Sequence, residues 1–163
     1  MIYEVEGDIL LTETQAMAHG VAPNDDFKHG LAFSLKENWP SLYKDFRHFS
    51  HGHHPKEGTL WTWTNANGKR IFNLFTQEHA KDNTSHPGKA TTAYVNHALK
   101  ELRSEIEKEN IESIALPKLA TGVGGLDWEE VKPLIDKHLG DLEIPVYIYT
   151  TFHKGQKAQE TAK

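Results

Sequence analysis

Leu116-Pro117-Lys118-Leu119-Ala120-Thr121-Gly122-Val123-Gly124-Gly125-Leu126-Asp127-Trp128 is the stretch around which this chain organises itself. Ser113 to Leu116 reads as a buried-type strand and Thr121 to Gly125 as a glycine loop. Asp127 then opens a helix that runs to Leu139. Aspartate is a capping residue, and Glu130 three positions later completes a capping-box pattern. Trp128, Val131, Leu134, Ile135 and Leu139 recur as one apolar face. Gly122, Gly124 and Gly125 let the backbone approach a guest closely. The helix N-terminus behind them offers free N–H groups and a dipole that favour an anion. A phosphate or diphosphate suits such a loop, as does a tight turn with no ligand. The loop is not a Walker A motif, because no Gly-Lys-Ser/Thr follows. Its spacing also fails the G-x-G-x-x-G fingerprint.

Strands and helices alternate around this unit. Ile2 to Val5 and Gln15 to His19 are strand candidates. Leu31 to Asn38 has helical spacing, with Pro40 ending it or starting the next turn. Arg47 to Gly58 reads as a polar, histidine-rich loop. Thr59 to Thr64 and Lys69 to Thr76 are strands joined by Asn67-Gly68, a pair that tolerates the positive φ of a tight hairpin. Gln77 to Gly88 is a second polar loop. Lys89 to Asn110 is the clearest helix, with Tyr94, Ala98, Leu99, Leu102 and Ile106 on one stripe. Pro145 to Thr150 is the last strand, and residues 153–163 have the composition of a disordered tail. This order predicts an α/β fold with a mixed, mostly parallel sheet.

Composition narrows the function. The 163 residues make one domain over 1–152. Lys plus Arg is 18 and Asp plus Glu is 23, a formal net charge of −5. No surplus drives bulk electrostatic contact with nucleic acid, although a local basic patch remains open. The absence of cysteine excludes a disulfide framework, a thiolate nucleophile and a Cys-based zinc site. No apolar run reaches the ~20 residues that span a bilayer, and the N-terminus lacks the pattern of a signal peptide. The expectation is a cytoplasmic monomer without membrane contact, cofactor or metal. His48, His51, His53 and His54 form a tract that can bind zinc or nickel adventitiously, or simply coat a surface.

Five segments, in order, resemble the macrodomain family, whose members bind ADP-ribose. Tyr3 to Leu10 looks like the opening strand with its "GD(I/L)" motif, and Ala18-His19-Gly20-Val21 like the second strand. Phe27-Lys28-His29-Gly30-Leu31-Ala32 resembles the substrate loop. Asn73-Leu74-Phe75-Thr76-Gln77 fits the central strand and its exit, and Leu116 to Trp128 the diphosphate loop. The resemblance covers roughly residues 2 to 152. It is nearest to the terminal ADP-ribose protein glycohydrolases, the chromatin-remodeller macrodomain and the yeast ADP-ribose-1''-phosphate phosphatase. It implies a three-layer α/β/α macrodomain.

The resemblance also implies roles. Asp8 would accept from the adenine amino group, since a carboxylate offers only acceptors, and the Ile9 N–H would meet the ring. Thr121, Gly122, Val123, Gly124, Gly125 and Leu126 would cradle the diphosphate. Asn24, Lys28, Gly30, Leu31, Ala32 and Gln77 would border the distal ribose, and Tyr149 or Phe152 would stack on adenine. His19 matches a histidine of the phosphatase and glycohydrolase branch and would act as acid, base or water-orienting group. Asp25, Asp26 and His29 are further catalytic candidates on the substrate loop. His79 and His86 would flank the site.

Two departures matter. Gln77 stands where the glycohydrolase branch has a lysine, and Gly124 where it has an aspartate. The expected function is hydrolysis of an ADP-ribose derivative, namely an ADP-ribosylated protein or nucleic acid, or ADP-ribose-1''-phosphate. A non-catalytic ADP-ribose reader is the rival, and a metal-dependent protein built on the histidine tract is a third class.

Overall fold

The computed structural model describes residues 1–81 and 87–161. Six strands form one sheet in the order β1-β6-β5-β2-β4-β3. They are β1 (Ile2–Gly7), β2 (Ala16–Val21), β3 (Leu60–Thr64), β4 (Arg70–Phe75), β5 (Ile114–Pro117) and β6 (Val146–Phe152). All neighbours pair parallel except β3 and β4, which form the expected antiparallel hairpin. The helices are α1 (Gly30–Asn38), α2 (Pro40–His53), α3 (Thr92–Lys108) and α4 (Trp128–Leu139). None of them is long and apolar enough to cross a membrane.

Alternation along each strand sends side chains to two cores. Ala16, Ala18, Phe72, Leu74, Ile114, Leu116, Val146 and Ile148 pack against α3 and α4. Met17, Val21, Ile71, Phe75, Ala115, Tyr147 and Tyr149 pack against α1 and α2. The result is the three-layer α/β/α arrangement, with Val95, Leu99 and Leu102 of α3 and Ala32, Leu35, Leu42 and Phe46 of α1 and α2 fully or nearly buried.

The histidine-rich segment is the main correction to the local reading. Pro40 occupies the first turn of α2, where its missing N–H costs nothing. The helix then continues through His53, because Leu42, Phe46 and Ser50 recur on one buried face. His48, His51 and His53 are therefore exposed on a helix rather than in a loop, and His54 is its left-handed cap at φ +46°. Among the described residues no group of three or more His, Asp or Glu side chains is placed to hold a metal.

The segment after β6 differs from its compositional reading. The 153–161 backbone runs over β1 and the turn that follows it. Asp8 N–H donates to the Gln156 carbonyl at 2.8 Å, and Gly155 N–H donates to Asp8 Oδ2 at 3.0 Å. Glu160 accepts from the hydroxyls of Thr12 (2.6 Å) and Tyr149 (2.8 Å) and from the Glu13 N–H (3.0 Å). Composition counts polar residues and cannot reveal that one glutamate meets three donors. Gly7 must be glycine here, since a Cβ would meet Ala158 N at 2.8 Å and its φ is +153°.

Glu160→Ala removes an acceptor shared by three donors, two of them in partly buried bonds. It is expected to lower unfolding stability by about 1–3 kcal/mol in urea titration. An unchanged midpoint would mean that the segment is undocked in solution.

Candidate functional site

The carboxyl ends of β1, β6, β5, β2 and β4 share one edge of the sheet, where α/β folds bind ligands. Two cavities lie there and share Gly30, Leu31 and Pro117. One, of about 490 Å³, is lined by Asp8, Ile9, Tyr149 and Phe152. The other, of about 210 Å³, is lined by His19, Asp25, His29, Ala32, Gln77, Gly122, Val123 and Gly124. The shared residues make them one cleft.

At the first end, Asp8 caps a single 3-10 turn, Ile9–Leu11, by accepting the Leu10 N–H at 3.0 Å. Each carboxylate oxygen already takes one backbone donor and keeps further acceptor capacity. The Ile9 N–H donates to no group among the described residues. Tyr149 and Phe152 behave differently. The Tyr149 ring is buried with its hydroxyl on Glu160, and burial followed by that carboxylate's influence pushes its pKa well up. Phe152 is 67% exposed on the rim and is the ring positioned for stacking.

In the middle, the glycine loop is shaped by its own bonds. Leu126 N–H donates to the Ala120 carbonyl and Gly125 N–H to the Gly122 carbonyl, while the Thr121 hydroxyl donates to the Lys118 carbonyl at 2.8 Å. Ala120 and Gly125 take positive φ, +63° and +78°. Thr121, Gly125 and Leu126 thus build the loop rather than line the cleft, and the Leu126 side chain packs into the core. The N–H groups of Thr121, Gly122, Val123 and Gly124 donate to nothing among the described residues. Gly124 is sterically fixed, because a Cβ there would meet Ala120 O at 2.7 Å and Ala90 Cβ at 2.9 Å. No aspartate fits at that position.

At the far end, His19 of β2 stands opposite Asn73 of β4 in register. His19 Nε2 and Asn73 Oδ1 are 2.6 Å apart. The Asn73 amide donates to the Trp61 and Ile71 carbonyls, so its oxygen must accept, and Nε2 carries the imidazole proton. His19 is 1% exposed, and Nδ1 has no partner among the described residues. Burial holds its pKa down to about 4, against the opposing Asn73 bond. The ring is therefore neutral at pH 7, and its Nδ1 is a buried acceptor without a donor among the described residues. Asn73 was missed in the sequence, although a lone amide inside Ile71-Phe72-Asn73-Leu74-Phe75 was a usable signal.

The other substrate-loop candidates are mostly occupied. Asp25 Oδ2 accepts from Ala22 N–H and Oδ1 from Phe27 N–H, both at 2.9 Å. Burial raises the Asp25 pKa while the two amides oppose it. Its carboxylate supports Phe27, whose φ of +54° is strained for a bulky residue and whose ring is fully buried against His19, Tyr43 and Phe46. Asp26 accepts the Lys28 N–H at 3.1 Å and, like Lys28, faces a separate groove. Asn24 is no ribose contact by its side chain: both amide atoms pair with the Ala80 backbone, at 3.0 and 2.8 Å. Gln77 reaches the cleft, with its amide nitrogen bonded to the Gly88 carbonyl at 3.0 Å. His29 lies at the exposed rim. His79 turns away to Glu57 at 3.1 Å, and His86 lies outside the described residues.

Comparison with known proteins follows this geometry. The macro domain family profile matches residues 65–135. The solved macrodomain of Thermus aquaticus DarG superposes with a TM-score of 0.81 at 28% identity, covering 92% of this chain and 98% of that one. A Thermus aquaticus protein named DNA ADP-ribosyl glycohydrolase is 30% identical over 91% of this chain, which spans 41% of that relative's length. The human ADP-ribose glycohydrolase OARD1 is 22% identical, over 90% of this chain and 89% of its own. With sheet order, glycine loop and cleft in agreement, the chain has the macrodomain fold and is similar to that family in sequence.

Proposed function

We propose that the cleft binds ADP-ribose and that the chain hydrolyses the bond between the distal ribose C1'' and an attached macromolecule. The supporting observation is the order of unused hydrogen-bonding groups along one cleft. The Asp8 carboxylate and Ile9 N–H match an adenine edge. The bare N–H groups of Gly122 to Gly124 match a diphosphate. At the distal-sugar end His19 lines the cleft with a neutral ring whose buried Nδ1 lacks a donor that a water or hydroxyl could supply. Related glycohydrolases support the hydrolytic reading.

In this mechanism a water donates a hydrogen bond to His19 Nδ1 and turns its oxygen toward C1''. The O–C1'' bond forms as the bond to the leaving group breaks, and the departing group acquires a proton. With a pKa of about 4, His19 orients the water as an acceptor and hardly stores its proton. ADP-ribose-1''-phosphate is a smaller substrate for the same chemistry. The cleft is complete within one chain, so the activity needs no second copy. Cysteine-free composition suits a reducing compartment, and we assign the activity to the cytoplasm. A reader without turnover is the second reading, favoured by Gln77 and Gly124 in place of lysine and aspartate.

Calorimetric titration with ADP-ribose is expected to give micromolar binding, much weaker for AMP. Asp8→Ala should weaken both ligands alike, by about 1–3 kcal/mol. Full affinity in that variant would remove adenine from the Asp8 end.

Single-turnover release of ADP-ribose from a modified oligonucleotide should fall about 100-fold or more in His19→Gln, with ADP-ribose affinity kept. The wild-type rate should be level from pH 6 to 8 and fall in acid as His19 protonates near its pKa of about 4. Stability follows the same sign. The unfolded histidine binds a proton below about pH 6.5, whereas the folded one does so only near 4, so folding weakens as pH drops through that window. Binding without release in the wild type would leave the reader.

A further inference from the structure

A third groove, of about 410 Å³, begins where the distal end of the cleft stops. Asp25 lines both. Its walls are the β2–α1 loop and the outer faces of α1 and α2, and it carries Lys28, Lys36 and Arg47. Among the described residues none of these three cations has a carboxylate within 4.0 Å. The two carboxylates of the groove are turned to other work: Asp25 is buried with both oxygens on backbone N–H groups, and Asp26 accepts the Lys28 N–H. Lys36 Nζ lies 4.4 Å from the centre of the half-buried Tyr43 ring, which also lines the groove.

We propose that this groove holds the phosphate backbone of a single-stranded nucleic acid to which the ADP-ribose is attached. The inference rests on the orientation given above, with adenine at Asp8 and the distal ribose at His19. A macromolecule joined to C1'' must then leave the cleft over the β2–α1 loop. Unpaired cations beside an aromatic ring are the equipment of single-strand binding, in which cations follow the backbone and rings meet bases. In a chain of net charge −5, three cations without a carboxylate within 4.0 Å among the described residues, against two carboxylates in the same groove, form a local exception at the exit of one cleft. Two relatives are named for action on ADP-ribosylated DNA, which favours nucleic acid over an acidic peptide.

The test compares free ADP-ribose with a short single-stranded oligonucleotide bearing one ADP-ribose group. In low salt the oligonucleotide should bind about tenfold tighter. Three phosphate contacts should cost it about 20-fold in affinity from about 50 to about 200 mM salt. Lys36→Gln/Arg47→Gln, two surface changes, should remove most of that advantage and flatten the salt dependence, with free ADP-ribose bound within about twofold of wild type. Equal affinity for the two ligands in the wild type overturns the proposal, as does an advantage that the double variant retains. The same advantage with an ADP-ribosylated acidic peptide also overturns it, by assigning the groove to protein. No binding of free ADP-ribose would instead overturn the reading of the cleft itself.

Discussion

A parallel strand can be followed by another parallel strand only if the chain leaves from its carboxyl end and crosses back. β1, β2, β4, β5 and β6 all obey this constraint, so Gly7, Val21, Phe75, Pro117 and Phe152 end at one edge. Every loop departing from that edge carries backbone donors and acceptors that no strand will pair. Several are satisfied inside the protein. Asp8 takes the Leu10 and Gly155 amides, Asp25 takes those of Ala22 and Phe27, Asn24 clamps Ala80, and Gln77 holds the Gly88 carbonyl. The cleft is what remains after this internal satisfaction: the N–H groups of Ile9 and of Gly122 to Gly124. Binding capacity and loop architecture are therefore two outcomes of one accounting of polar groups.

The same logic extends below the edge to His19 and Asn73. A polar pair between two central strands stays in the core because Asn73 finds a partner for its oxygen and for its nitrogen. Its demand for a donor fixes the imidazole tautomer and thereby leaves the other nitrogen a buried acceptor without a donor among the described residues. Thr76 Oγ1 is likewise buried and unpartnered among the described residues, and it lies 2.5 Å from where a Cβ on Gly20 would stand. Gly20 consequently stays glycine, which keeps the floor beside His19 open. A buried acceptor without a donor costs about 1–3 kcal/mol, and a water or sugar hydroxyl that donates to Nδ1 relieves that cost. The floor of the cleft is poised for a guest.

Local patterns were legible where one element decides the outcome. The hairpin at Asn67-Gly68, the capped start of α4 and the stripe of α3 could be read from spacing, because each depends on neighbours in the chain. The glycine loop was legible as a loop but not residue by residue, since only the fold shows Thr121 and Gly125 closing the turn with their own hydrogen bonds and Leu126 packing into the core. α2 was misread because histidine and serine dilute the apolar signal, while Leu42, Phe46 and Ser50 still share a face. Asn24, Asp25 and Glu160 were illegible for a common reason. A polar side chain declares that it will bond, and the tertiary structure decides to what. Of the candidate site, His19 and Asp8 were legible as residue types; the tautomer, the unpartnered nitrogen and the bond from Gly155 to Asp8 depend on partners 54 and 147 residues away.

The chemistry open to such a site follows from what its floor lacks. Gly124 cannot become an aspartate without striking Ala120 and Ala90, and Gln77 brings no charge. His19 is already deprotonated at neutral pH, and Asp25 spends both oxygens on backbone amides. His19 and Asp25 therefore serve chiefly to accept hydrogen bonds and orient, and a leaving group that needs no protonation asks least of such a floor. Hydrolysis at C1'' as proposed above would then favour leaving groups that carry negative charge well, such as a phosphate, a carboxylate or the imide nitrogen of a base. Alcohols and amines, which depart poorly without an acid, are disfavoured by the same floor.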